Sequence, residues 1–328
     1  MHDVLRALRN DYGSARAYVR ERGLAKQVKR IERPRVAASV AFALGCWGVI
    51  LAVAFWTATR GIGYAVLGLP IIAIHQRQLR NLLHDASHFN MVGNNVWNDR
   101  LADLLMGIPC FEPVRLYRAD HQAHHAYLGI AGMDPDLIDT RTLALRPLRI
   151  YLRRLFDRRC LTSSVLAYLP RMTFAGRLRC IVFWSSFLLG LYAIGGVRVA
   201  LVFAASWIIS RTTLLHAINV FTELSDHAGR PTGTVLRSTR TMPPTLLARL
   251  FYPYHERHHL AHHLFPRVPT YRLKTLHRLL AGMPAYRASM AFDGVSFGHA
   301  PLAASWMLAP DKSDKQVVKE TDSVPDNT

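Results

Sequence analysis

Three clusters of histidine carry the chemistry of this chain: His84-Asp-Ala-Ser-His88, His121-Gln-Ala-His124-His125 and His259-Leu-Ala-His262-His263. Neutral imidazole is the commonest protein ligand for a transition metal. Residues three and four apart on a helix share a face. In each HxxHH cluster the first histidine stands over both of the others, and in HxxxH the two stand one turn apart. Each cluster therefore aims two or three imidazoles at one point. Eight such groups exceed the four ligands of a tetrahedral zinc and suit a pair of metal ions.

The elements that must position these clusters are apolar. The chain has 328 residues, half of them hydrophobic, yet its net charge is +19. Its mean hydropathy is +0.09 and its isoelectric point is near 10.4. These figures are compatible because basic and apolar residues are segregated. Residues 36–59 form an almost unbroken apolar run, long enough to cross a bilayer. The long basic stretch before it argues against a signal peptide. After Arg60-Gly61-Ile62-Gly63 the chain turns apolar again and runs on to His84. A second block, 181–209, is too long for one span and is divided at Gly195-Gly196. The expected fold is an all-α integral membrane protein. Its four transmembrane helices, about 36–59, 62–82, 180–195 and 197–217, form two hairpins, and a cytoplasmic helical cap holds a histidine-rich dimetal site. Residues 101–111 are shorter and read as interfacial or re-entrant.

Around this membrane domain, taken as 36–282, residues 1–35 form a basic amphipathic segment expected on the anionic inner leaflet. Residues 283–309 are a C-terminal extension, and 310–328 a polar tail of disordered composition. Four cysteines, Cys46, Cys110, Cys160 and Cys180, lie far apart without a CxxC pair. That pattern gives neither a disulfide framework nor a zinc ribbon and fits a reducing compartment.

Orientation follows from the basic residues that flank the spans. Arg6, Arg9, Arg16, Arg20, Arg22, Lys26, Lys29, Arg30, Arg33 and Arg35 precede the first hairpin; Arg146, Arg149, Arg153, Arg154, Arg158 and Arg159 lie between the two. The two outer turns carry only Arg60 and Arg198. Both termini and all three histidine clusters are thereby expected on the cytoplasmic side, and a bacterial inner membrane is the expected location. The basic stretches flank spans and contain no nucleic-acid-binding motif, so they read as membrane attachment. The segment 146–159 also offers a dock for an acidic electron donor.

The clusters, their order and their intervening apolar blocks resemble the membrane fatty acid desaturase superfamily, which also contains hydroxylases and ketolases. The likeness covers roughly residues 40–282. It includes Asn98-Asp99, Tyr117-Arg118, Asp134-Pro135-Asp136, and the phrase Leu264-Phe265-Pro266-Arg267-Val268-Pro269 with Tyr271-Arg272-Leu273 and Leu276-His277. The resemblance implies that His84, His88, His121, His124, His125, His259, His262 and His263 are metal ligands, with a ninth from the end of the fourth span. His227 is the candidate and His216 its rival, with Glu223 one turn before His227 and able to reach a metal directly or through water. His255-Glu-Arg-His258-His259 is itself HxxHH and overlaps the third cluster. The phrase that follows favours His259, His262 and His263, leaving His255 as a substitute ligand or supporting group. This chain has Arg257-His258 and Ala261 where many relatives have Asn-Tyr and Glu, which touches the supporting groups more than the ligands.

Ligating imidazoles need a partner on the other ring nitrogen. Asp85, Asp99, Asp120, Asp226 and Glu256 are placed to serve, Asp103 and Asp134 less well, and Arg118 is expected to pair with one of them. Zinc has no redox activity, so the imidazole set beside apolar helices suits iron that reduces oxygen. The resemblance implies two irons, O2 as co-substrate and removal of hydrogen from an unactivated C–H bond. The leading reading is a desaturase that places a double bond in an acyl chain of a lipid or carrier-bound substrate. The alternative is a hydroxylase or ketolase acting on a lipid, carotenoid or alkyl metabolite. Superfamily members also act on small metabolites. The sequence has neither a GxGxxG fingerprint nor a fused cytochrome-like segment. Electrons are therefore expected from a separate ferredoxin-type donor, or from cytochrome b5 in a eukaryote. A non-catalytic metal carrier is disfavoured, because carriers place ionisable groups at mid-membrane and these clusters lie at the span ends.

Overall fold

The computed structural model describes residues 2–137, 147–227, 232–242, 244 and 246–292, and the regular structure among them is helical throughout. The tail 310–328 and residues 293–309 of the extension lie outside the described residues. Fifteen α-helices are present among those described: α1 (His2–Glu21), α2 (Ala25–Ile31), α3 (Val36–Arg60), α4 (Ala65–Ser87), α5 (Asn95–Ala102), α6 (Val114–Ala126), α7 (Pro147–Leu155), α8 (Arg158–Leu166), α9 (Phe174–Ser210), α10 (His216–His227), α11 (Val235–Ser238), α12 (Leu246–Phe251), α13 (His259–Leu264), α14 (Leu273–Leu280) and α15 (Pro284–Phe292).

α3 and α4 form the first hairpin. Gly61 closes α3 at φ 122°, a backbone region that residues with a Cβ rarely enter, and its amide donates to the Thr57 carbonyl at 3.1 Å. One 3₁₀ turn at Ile62–Tyr64 then reverses the chain. Gly68 lets α4 press on α3: a Cβ there would sit 2.8 Å from Val53 Cγ1.

α9 is two helices in one. Gly196 sits at φ 75°, ψ 178° in its middle. Trp184 meets Trp207 at 5.3 Å, and Phe187 meets Phe203 at 5.3 Å. These partners are nearly equidistant from residue 196, so the two halves run antiparallel. The helix begins at Phe174, six residues before the expected start, because the Thr173 hydroxyl accepts from the Gly176 amide at 3.2 Å and caps it. The second half runs through a π-helical turn at Arg211–Leu215 into α10. Stacking of Trp47 on Trp207, with centroids 5.0 Å apart, joins the two hairpins.

Among the described residues two helical stretches are long and apolar enough to cross a membrane, Val36–Arg60 and Phe174–His227. α4 differs in composition because one face buries Gln76, Arg77, Asn81, His84 and Asp85. Its N-terminal half exposes Val66, Leu67 and Ile71, and α9 exposes Ile181, Leu189, Ile194 and Leu201. A contiguous apolar surface of this kind marks contact with lipid or a partner.

The segment read as re-entrant consists of α5, a π-helical turn at Asp103–Gly107 and a bend at Phe111, where φ is 59°. Trp47 Nε1 donates to its Leu105 carbonyl at 2.8 Å.

The apolar face of residues 1–33 packs on protein. Leu8, Ala15 and Val19 of α1 are buried in one cluster with Leu260, Leu264, Leu273, Leu276 and Leu280. The apolar face of α1 covers the C-terminal helices, while Arg6, Arg9, Arg16 and Arg20 stay exposed. The same amphipathic period serves a lipid surface or a protein one, and here α13 and α14 supply the surface.

Candidate metal centre

The histidines arrive from four places in the chain. His84 and His88 close α4, His121, His124 and His125 lie on α6, His227 ends α10, and His259, His262 and His263 lie on α13. They sort into two groups able to hold a metal ion. One is His84, His88, His121 and His262; the other is His124, His227, His259 and His263. Within each group the ligand atoms lie within 4.8 Å of one another. His125 Nε2 lies 3.1 Å from both His121 Nε2 and His262 Nε2, which adds it to the first group. Its ring stacks on His263 of the second at 4.2 Å.

Spacing alone aims each cluster at one point; the structure keeps HxxxH together and divides both HxxHH boxes. In the second cluster the i, i+4 pair His121 and His125 faces the first group, while His124 faces the second. In the third cluster the pair His259 and His263 faces the second group, while His262 faces the first. Helical geometry requires such a split, since adjacent residues are rotated by about 100°. Each HxxHH box thus bridges both groups. Since HxxxH serves the first group alone, the second has three members until His227 completes it.

The spacing fits metal ions. Two imidazole nitrogens bound at about 2.1 Å to one ion, and subtending roughly 90–110°, lie about 3.0–3.4 Å apart. His84 Nε2 and His262 Nε2 are 3.0 Å apart; His227–His259 and His263–His259 are 3.1 Å apart through the same atoms. Burial pushes His88 down to about 3, helped by the charge of Arg118. Burial also holds His121, His125, His262 and His263 well below their ordinary value, reinforced by neighbouring imidazoles. These rings are neutral at pH 7, each with a lone pair to offer, and a cation between them would relieve the facing lone pairs.

His124 differs. Burial lowers its pKa, but the hydrogen bond from Nδ1 to Asp134 Oδ1 at 2.8 Å and the charges of Asp136 and Asp134 together outweigh this, and the net shift is upward. Asp134 is held below the carboxylate range against its own burial, chiefly by that bond. Its other oxygen accepts from the Gly129 amide at 2.7 Å. Gly129 and Asp134 belong to the turn that follows α6, so the box carries its own orienting carboxylate. His227 Nδ1 is fixed by the Ser238 carbonyl at 3.0 Å.

Several expected supporting groups have other employment. Asp120 forms a two-pronged pair with Arg171, one contact at 3.0 Å, so Asp134 and not Asp120 orients the second box. Asp85 accepts from the amide and hydroxyl of Thr270 at 3.0 and 2.8 Å, which pins the phrase after box three to α4. Glu256 pairs with Arg77 at 2.9 Å. Asp103 accepts from the Val114 amide at 2.7 Å and starts α6. Asp226 Oδ2 is 4.0 Å from His259 Nε2. Asp99 pairs with Arg118, as expected, at 3.1 Å. Arg118 also donates to the Ser87 and Ala86 carbonyls at 2.8 and 3.0 Å, filling the open end of α4.

His216 stands apart: Nδ1 is 2.7 Å from the Ser164 hydroxyl and Nε2 is 3.0 Å from the Leu155 carbonyl. His255 sits at φ 73°, its ring 6.3 Å from that of His258. Glu223 belongs to neither group. Two features had no sequence signal. The Tyr12 hydroxyl donates to the His125 carbonyl at 3.1 Å, and Glu112 lies between Arg80 at 3.2 Å and Arg211 at 3.6 Å. Neither pairing has a fixed spacing in sequence.

Residues 62–294 match the fatty acid desaturase family. The chain belongs to that family. It is similar to dihydrorhizobitoxine desaturase of Bradyrhizobium elkanii, with 26% identity over 264 residues, covering 73% of this chain and 70% of that protein. This family member is an oxidoreductase with histidine clusters that could bind metal and with apolar helices suited to a membrane.

Proposed function

We propose that this desaturase-family chain holds two irons, one in each imidazole group, and uses O2 to remove two hydrogens from adjacent saturated carbons. The observation that carries the reading is the sharing of both HxxHH boxes between two neighbouring groups, which ties two ions to one rigid frame. Iron supplies the redox chemistry that zinc lacks. The protein's part is to hold the imidazoles in fixed orientations. Asp134 does so for His124, Ser238 for His227, and Arg118 fixes the end of α4 that bears His84 and His88. Removal of one hydrogen followed by its neighbour gives an alkene; transfer of oxygen to the same carbon gives an alcohol. The position of the substrate carbon decides between them.

In this reading the halves of both hairpins cross the bilayer as four spans. The segment 1–35 caps the domain 36–282. The basic excess before α3 and between the hairpins puts the site and both termini on the cytoplasmic side of a bacterial inner membrane. Electrons come from a separate ferredoxin-type donor. The acyl chain of a lipid or a carrier-bound acyl group supplies suitable carbons, and so does an aliphatic metabolite; the relative in B. elkanii is named for dihydrorhizobitoxine.

The test is comparative mass spectrometry of cells producing the wild type or His124→Ala with a ferredoxin system. A product about 2 Da lighter that depends on His124 is expected. A product about 16 Da heavier would replace desaturation by hydroxylation.

A further inference from the structure

A second polar layer lies one helical turn from the imidazoles. Arg80 precedes His84 by four residues on α4, Tyr117 precedes His121 on α6, and Glu223 precedes His227 on α10. Residues four apart share a face, so three helices each present one polar side chain beside a candidate ligand. The Tyr117 ring stacks on His121 at 5.6 Å. On α4 and α10 this layer lies towards the hairpins, where a substrate carbon must approach the metal. Ionisable groups at such depth are costly and mark substrate paths.

Most charges nearby are spoken for. Arg77 is bound to Glu256 and the Phe251 carbonyl. Arg211 is bound to the Val165 and Cys110 carbonyls. Glu112 is shared by Arg80 and Arg211, two cations on one anion. Four groups remain. Arg80 engages Glu112 through Nε alone, and its side chain is 25% exposed. Arg154 Nε is buried without a hydrogen-bond partner. Glu223 is exposed, though its neighbours Phe221, Thr222, Leu224 and Ser225 are buried, and it makes no hydrogen bond or ion pair among the described residues. Arg80, Arg77, Arg154 and Asp136 all lie within its electrostatic reach. The Asp136 side chain is 54% exposed, with Oδ2 4.0 Å from His124 Nδ1. The layer therefore presents two accessible carboxylates and an arginine with free terminal nitrogens, close together and not satisfying one another.

We infer that this layer is a substrate-recognition site for a small zwitterion. Its ammonium group is held by Glu223 and Asp136, and its carboxylate by the terminal nitrogens of Arg80. A methylene chain gains nothing from this lining and leaves its charges unpaired, at the cost of burying unsatisfied polar groups. A molecule that carries both charges satisfies them, and a site built on such pairs rejects analogues that lack them. The inference rests on the proposed desaturation and adds the class of molecule that undergoes it.

The test uses membranes containing the full chain or Glu223→Gln, with ferredoxin, its reductase and NADPH. Each is supplied separately with the polar extract and the lipid extract of the same cells. The expected result is a product 2 Da lighter, formed from the polar extract and retained by both cation and anion exchangers. Glu223→Gln should raise the KM for its precursor at least tenfold while iron content and gel-filtration behaviour stay those of the wild type. A lighter product confined to the lipid extract, or one that Glu223→Gln forms with unchanged KM, would overturn the zwitterion site and leave desaturation standing. A product 16 Da heavier from the polar extract, with the same KM effect, would overturn desaturation and leave the site.

Discussion

His124 Nδ1 lies 2.8 Å from Asp134 Oδ1, ten residues further along the chain. The helical offset points His124 to the second imidazole group, and the bond occupies Nδ1 and leaves Nε2 for that group. It also makes His124 a more basic imidazole, and an anionic partner of this kind strengthens donation to a metal.

Asp134→Asn keeps the shape of this contact and removes the charge. Loss of such a partner costs about 10–100-fold in metal affinity or activity. Iron content and turnover should both fall within that range, while the protein stays in the membrane fraction. Normal iron content in the variant would show that Asp134 merely fills space.

His124→Ala removes a member of the second group outright. Turnover should drop to background, and the metal content measured on purified protein should fall by about one ion per chain. Retention of two ions with full turnover would refute the division of the boxes between two centres.

His227 and His216 are eleven residues apart and differ in employment. His227→Ala should lose metal and activity, because it leaves the second group with three imidazoles. His216→Ala should keep its metal and most of its turnover, losing only the links to Ser164 and Leu155. The reverse order of effects would transfer the ninth position to His216.

Arg118 forks onto Asp99 while capping the last carbonyls of α4, and Lys cannot reproduce a planar fork. Breaking a largely buried pair costs about 3–5 kcal/mol. Arg118→Lys should therefore lower the melting temperature and the metal loading, which a thermal scan and metal analysis would read. A melting temperature unchanged from the wild type would count against the clamp.

A pair of histidines outside both groups makes the fold acid-sensitive. His258 stacks on His277 at 4.2 Å, and neither nitrogen of His258 has a hydrogen-bond partner. Burial pushes His277 down to about 4, helped by Arg257 and Arg278, and lowers His258 as well. In the unfolded chain both titrate near their ordinary value of about 6.5. Between pH about 6.5 and 4 the unfolded state binds more protons, so stability is present above that window and is lost as pH falls through it. His258→Leu should flatten the fall of melting temperature across this range. An identical slope in wild type and variant would exclude the pair as its source.

Much of this protein was legible in its sequence. Box spacing follows from helical geometry, and the turns at Gly61 and Gly195-Gly196 follow from where a chain can reverse. Local periodicity groups the candidate ligands His84, His88, His121, His124 and His125, and the resemblance to the desaturases selects His259, His262 and His263 over the overlapping His255-Glu-Arg-His258-His259. Packing decided the rest. Which imidazole joins which group depends on how α4, α6, α10 and α13 rotate against one another. Asp134 displaced Asp120 as the partner of a box because Arg171, fifty-one residues away, claims Asp120. The apolar face of α1 packs on α13 and α14, since period alone does not say what a face will meet. Glu223 is an exposed carboxylate without an ion pair among the described residues because Arg77 is held by Glu256 and Arg80 by Glu112, both from other segments of the chain. Local order is written in neighbouring residues; partners are set by contacts between distant ones, and only the folded chain brings those together.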